Sequence, residues 1–144
     1  MCPHLTFYCI LKLRTESVKQ FEVNLKYKKT CWQRIYEVLE ANHAKPDTFH
    51  EKTLLNSDYI FRAKYSNSPP PNVRTIVAIA AGYDLGLHIA EELLKLAGLA
   101  FCPTSAENDA FIFILTAMYG YSIDAKNEIL IQSGFEPLGT KGRK

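Results

Sequence analysis

Nothing in this 144-residue chain approaches the roughly 18 consecutive apolar residues of a membrane-spanning helix. Its apolar opening, MCPHLTFYCILKLR, lacks a basic start and a small-residue cleavage site, so it is not read as a secretory signal. The four cysteines, Cys2, Cys9, Cys31 and Cys102, are scattered. Without an export signal they imply free thiols in a reducing cytoplasm, not a disulfide frame. Cys2, His4 and Cys9 fit no zinc spacing, and no second ligand pair comes after them, so no metal site is expected. A glycine-rich phosphate loop, a Gly-x-Ser-x-Gly elbow and a His-Glu-x-x-His pair are all missing. His43, His50 and His88 stand singly, and the neighbours His50 and Glu51 point to different helix faces. No catalytic set is assembled, so the chain is not expected to be an enzyme, and neither a cofactor nor a small-molecule substrate is evident.

Excess charge is missing too. The formal net charge is +2, and residues 30–98 hold seven basic against eight acidic side chains. Phosphate binding needs local positive charge. Any such surface here must therefore be small and formed by a few side chains.

The composition is that of one ordinary globular domain: 47% hydrophobic and 22% charged, in a chain long enough to bury a true core. The organising stretch is PDTFHEKTLLNSDYIFRAKY at 46–65. It reads as two short helices separated by a break of about four residues, the spacing of a helix-turn-helix. Pro46 is tolerated at a first helical position, and Asp47 suits the positive end of the helix dipole. Phe49 and Thr53 share one face. The break is Thr53-Leu54-Leu55-Asn56, with Asn56 or Ser57 capping the second helix. Tyr59, Ile60 and Ala63 turn inward in that helix, which leaves Ser57, Asp58, Phe61, Arg62, Lys64 and Tyr65 outward. Ser66-Asn67-Ser68-Pro69-Pro70-Pro71 ends it.

Around this unit the chain is mainly α. Thr30 with Gln33 forms a capping-box pattern before Trp32, Ile35, Tyr36 and Leu39, an amphipathic helix that ends near Asn42. Asn72 caps a helix over 73–82, with Ile76, Ile79, Ala80 and Tyr83 inward. Asp84 is expected to cap the next, at 87–97, which stops at Gly98. Thr104 and Glu107 suggest a second capping box, opening an apolar helix over 106–118 that is central to a core or covered by a partner. Ser122 caps a last helix to about Ser133, and Phe135, Pro137 and Leu138 fold back over it. Residues 1–28 alternate apolar and polar, which suggests a short β-hairpin, with a helix over 15–27 as the alternative. The division expected is an N-terminal segment at 1–29, a helix-turn-helix domain at 30–98, a helical extension at 99–139 and a basic tail at 140–144.

CWQRIYEVLEAN, FHEKTLLNSDYIFRAK and PPPNVRTIVAIAAGYDL together resemble the lambda-repressor/Cro-like (XRE) family of helix-turn-helix regulators. The tail after Glu92 resembles an extension found in a bacterial, clostridial-type subgroup. The resemblance covers roughly two thirds to four fifths of the chain. It implies a five-helix lambda-repressor-like domain plus two C-terminal helices. It also implies double-stranded DNA as the partner, transcription regulation as the role, and two-fold dimers on paired half-sites. Two positions depart from the pattern. His50 stands where a small residue usually lets the motif helices pack closely, and Leu54 stands where glycine usually makes the turn.

On that reading the second motif helix enters the major groove. Arg62 and Lys64 would reach guanine edges or phosphates, Asn56 and Ser57 would donate at its N-terminal end, and Phe61 would touch a thymine methyl. Asp58 and Tyr65 lie on the same face, Asp58 opposing phosphate unless Arg62 neutralises it. Asn72 and Arg74 would hold a phosphate at the next helix start. The alternative is a protein-interaction or dimerisation module: the same fold with a disabled DNA face, using the apolar C-terminal half to hold a partner.

Overall fold

The computed structural model describes Lys19, residues 29–65 and residues 68–139. Among the described residues there are seven helices and no strand: α1 (Cys31–Ala41), α2 (Pro46–Thr53), α3 (Asp58–Tyr65), α4 (Val73–Gly82), α5 (Gly86–Leu96), α6 (Ala106–Thr116) and α7 (Ile123–Gln132). The protein is mainly α. The N-terminal hairpin and the basic tail expected from the sequence lie outside the described residues.

Local rules set most of the starts. The Thr30 hydroxyl accepts from the Gln33 amide at 3.1 Å, and the Gln33 side chain accepts from the Thr30 amide at 2.8 Å, a complete capping box. Asn72 Oδ1 accepts from the Thr75 amide and Ser122 Oγ from the Ala125 amide. Two expected caps are displaced. Ser105, one residue after Thr104, accepts from the Asn108 amide to start α6. Asp84 does not cap α5, which has no side-chain cap. Its backbone is left-handed, φ 49°, and its carboxylate faces α7 instead.

The sequence pattern makes the helix over 106–118 either central to a core or covered by a partner; among the described helices it is α4 that is most enclosed. Every residue from 75 to 81 is buried, and α2, α5, α6 and α7 all pack on α4. Its small residues, Ala78, Ala80, Ala81 and Gly82, let neighbours approach from several sides. A Cβ at Gly82 would collide with the Lys52 carbonyl and come within 2.9 Å of the Thr53 methyl. The end of α2 rests directly on α4 there. By contrast α6 buries Phe111, Ile114 and Leu115 but leaves Phe113 50% exposed. On the opposite side, α1 packs against α3 and α5, and buries Trp32, Ile35 and Leu39.

A buried lysine joins the C-terminal pair to α4. Lys126 of α7 donates to the Ala81 carbonyl at 2.7 Å and to the Asp84 carboxylate at 2.6 Å. Asp84 also accepts from the Gly120 amide. The lysine thus satisfies a carbonyl at the end of α4, where helical partners run out. A buried charge is tolerable only when paired and hydrogen-bonded, and both conditions hold.

Candidate nucleic-acid interface

The motif is built from α2, a turn and α3. Thr53 is fully buried; its hydroxyl donates to the Phe49 carbonyl at 2.8 Å and accepts from the Leu55 amide at 3.2 Å. One side chain therefore ends α2 and begins the turn. Leu54 is next, in the left-handed region at φ 60° and ψ 14°, where a glycine is the easier occupant. The turn has the shape usually made by glycine and is held by burial of the leucine, which is 8% exposed.

His50 compensates on the outer side. Its Nδ1 lies 2.9 Å from the Leu55 carbonyl, and because a carbonyl only accepts, Nδ1 carries the proton. The ring reaches out of α2 and across the turn, so it does not wedge the two helices apart. Asn56 Oδ1 then accepts from the Asp58 amide at 3.0 Å and starts α3.

On α3, Ala63 is buried, and Tyr59 and Ile60 are half-buried against α1 and the body. Asp58, Phe61, Arg62, Lys64 and Tyr65 are exposed, Phe61 by 49% and Tyr65 by 63%; Ser57 is half-buried. The Arg62 guanidinium lies over the Tyr59 ring, 4.7 Å from its centroid, rather than pairing with Asp58. Tyr59 leans in turn on Trp32, with 6.2 Å between ring centroids, and Trp32 Nε1 donates to the Pro69 carbonyl at 2.7 Å. This ladder of Trp32, Tyr59 and Arg62 ties the outward guanidinium to the core. A cleft of about 430 Å³ runs beside it, lined by Tyr59, Arg62, the three prolines and Asn72. A second, of about 300 Å³, lies between Asp58, Phe61, Arg62, Tyr65 and Ser68.

Asn72 is exposed on the wall of the larger cleft. Arg74 is turned elsewhere. It pairs with Glu107 of α6 at 3.1 Å and donates to the carbonyls of Glu136 and Pro137 at 2.8 and 2.7 Å. Its guanidinium lies 5.5 Å from the Phe111 centroid. Where the sequence reading joins Arg74 to Asn72 on a phosphate, the structure directs its donors to the C-terminal segment. The structure therefore brings Asn56, Ser57, Asp58, Phe61, Arg62, Lys64, Tyr65 and Asn72 around one helix and leaves Arg74 out.

No family model, curated protein or solved structure matches the chain.

The sequence reading opens α2 at Pro46 but assigns no role to the uncapped amides there. Lys45 precedes it, Pro46 occupies its first position, and no side chain caps its amides. The signal is local: proline at a helix start with no serine, threonine, aspartate or asparagine before it. No helix of the described residues is long and apolar enough to cross a membrane.

Proposed function

We propose that the chain is a DNA-binding transcription regulator on a lambda-repressor-like helix-turn-helix fold, cytoplasmic and acting by occupancy without chemistry. One observation carries the reading: α3 is braced by the body on one side and presents Phe61, Arg62, Lys64 and Tyr65 to solvent on the other. These are side-chain types that read base edges, thymine methyls and phosphates. The uncapped start of α2, beside Lys45, adds amides suited to a phosphate. A two-fold dimer on paired half-sites fits a single reading helix per copy.

A gel-shift against a random duplex pool across a salt series tests this. Retention of a subset of fragments, falling steeply with salt, is expected. Failure to retain any fragment at low salt would remove the reading.

A second reading keeps the fold and replaces the ligand. Arg74 is engaged by Glu107 and the C-terminal carbonyls and Asp58 stays exposed, while Phe113, Tyr119, Tyr121 and Ile131 are each at least half exposed in the C-terminal half. Those exposures favour a protein partner or a second copy held by that half. Loss of self-association in Phe113→Ser, with DNA binding absent in both forms, would favour this second reading over the first.

A further inference from the structure

A cleft of about 410 Å³ opens between the last turns of α5, the segment that follows it and the middle of α6. Nothing in the DNA reading uses it. Its wall follows from a local rule and a fastening. Gly98, left-handed at φ 74°, ends α5: its amide donates to the Lys95 carbonyl at 3.0 Å, and the Leu99 amide donates to the Leu94 carbonyl at 2.8 Å. This paired reversal turns Leu99 back toward Leu94. Further on, the Cys102 amide donates to Asn108 Oδ1 at 2.8 Å, which ties the far end of the segment to the first turn of α6. Residues 99–101 are thus held at both ends, and the cleft belongs to the fold itself.

Its floor is apolar and its rim is charged. Leu94 is 1% exposed, Phe101 and Ile112 are half-buried, and Leu99 and Ala100 complete the apolar surface. The two remaining lining residues, Glu91 and Lys95, are exposed. They sit one turn apart on α5 with the glutamate first, the spacing and order in which such residues pair best. They do not pair here. Among the described residues neither side chain takes part in an ion pair or a hydrogen bond, whereas the adjacent Glu92 is held by Arg34. The rim therefore offers one open carboxylate and one open ammonium beside an apolar floor.

We infer that this cleft binds a free apolar α-amino acid. The ligand carboxylate meets Lys95, its ammonium meets Glu91, and its side chain covers Leu94, Phe101 and Ile112. Charge complementarity selects the zwitterion. An acid without the amine leaves Glu91 beside a second carboxylate, and an amine without the acid leaves Lys95 beside a second cation. An uncharged apolar molecule draws both rim charges out of water and gives them no partner. The volume lies in the range of small-molecule pockets, about 300–1,000 Å³. Binding here does not depend on whether α3 meets DNA.

The test is a titration of the isotope-labelled full chain with L-leucine and L-phenylalanine, followed by amide chemical shifts. Saturable shifts centred on residues 91–101 and on Ile112 are expected. Hydrocinnamate and phenethylamine each lack one charge of phenylalanine, and each is expected to bind at least about threefold more weakly, as for partly screened ion pairs. Glu91→Gln is expected to erase the preference for phenylalanine over hydrocinnamate and to keep the preference over phenethylamine. Lys95→Gln is expected to do the reverse. Both positions are exposed, and a thermal melt checks that the variants stay folded. No saturable shift at the cleft with either amino acid would overturn the inference. Equal binding of phenylalanine, hydrocinnamate and phenethylamine by the wild-type chain would reduce the cleft to an apolar groove and overturn it too. Unchanged preferences in both folded variants would overturn the roles given to Glu91 and Lys95.

Discussion

Leu54 carries opposing terms whose balance can be measured. Its left-handed backbone costs about 1–2 kcal/mol relative to a glycine. Its buried side chain returns about 1.5–3 kcal/mol. Leu54→Ala keeps the strain and loses the side chain, so a loss of about 2–4 kcal/mol is expected in denaturant unfolding. Leu54→Gly loses the same side chain but sheds the strain, and should cost less than Leu54→Ala by about 1 kcal/mol. Glycine outperforming alanine is the reverse of the order inside a helix. The opposite ranking would mean that the turn is unstrained.

Tyr83 and Cys31 make the alkaline limb of stability. Burial pushes the Tyr83 phenol up to about 12 and the Cys31 thiol up to about 11, from ordinary values of 10.0 and 9.0. Both are neutral when protonated, so the fold holds protons that the unfolded chain releases. Their contribution is complete below about pH 9 and is lost as pH rises from about 9 to 12. Among the described residues the Tyr83 hydroxyl is buried without a hydrogen-bond partner. Tyr83→Phe should therefore gain about 1 kcal/mol at neutral pH and soften the decline above about pH 10. A destabilised Tyr83→Phe would point to a partner for that hydroxyl.

At the scale of elements, α4 decides the packing and Gly82 decides how closely α2 approaches it. An exposed helical glycine replaced by alanine usually gains about 1 kcal/mol. Here the added methyl meets the Lys52 carbonyl and the Thr53 side chain, so Gly82→Ala should lose about 1–3 kcal/mol by thermal unfolding. It should also disturb the turn, since Thr53 is the residue displaced. Unchanged stability would mean that the two helices pack less tightly.

How much of the fold is legible in the sequence depends on which interactions are local. The caps at Thr30, Asn72 and Ser122 bond residues three positions away, so they can be read directly. The outward and inward residues of α3 come from helical period alone. The interactions that escape a sequence reading are long-range. Lys126 lies 42 residues from Asp84, Arg74 lies 62 and 63 from the carbonyls it holds, and Gly139 meets Leu54 across most of the body. A basic residue near a helix start reads as a phosphate ligand when its distant partner is unknown, and the carbonyls that Arg74 holds lie too far along the chain to be read locally. Asp84 reads as a cap for the same reason: its α7 partner is invisible locally.

For the whole molecule, α6 packs on α4 and α5, α7 packs on α4 and α6, and the segment after α7 returns to meet the turn at Leu54. Lys126, Asn127 and Arg74 each fasten one segment to another across this layout, so the C-terminal pair braces the motif rather than hanging from it. The central claim is that the outer face of α3 meets DNA. The most direct measurement is the affinity of Arg62→Ala/Lys64→Ala for a retained duplex, against the wild-type chain, over a range of salt. If α3 meets DNA, losing a guanidinium at Arg62 that reads a base should cost about 1–3 kcal/mol, and losing an ammonium at Lys64 that pairs with a phosphate should lower the salt slope by about 1. Weaker binding with a flatter slope, in a variant that melts with the wild type, is the predicted result; equal affinity and equal slope would contradict the account.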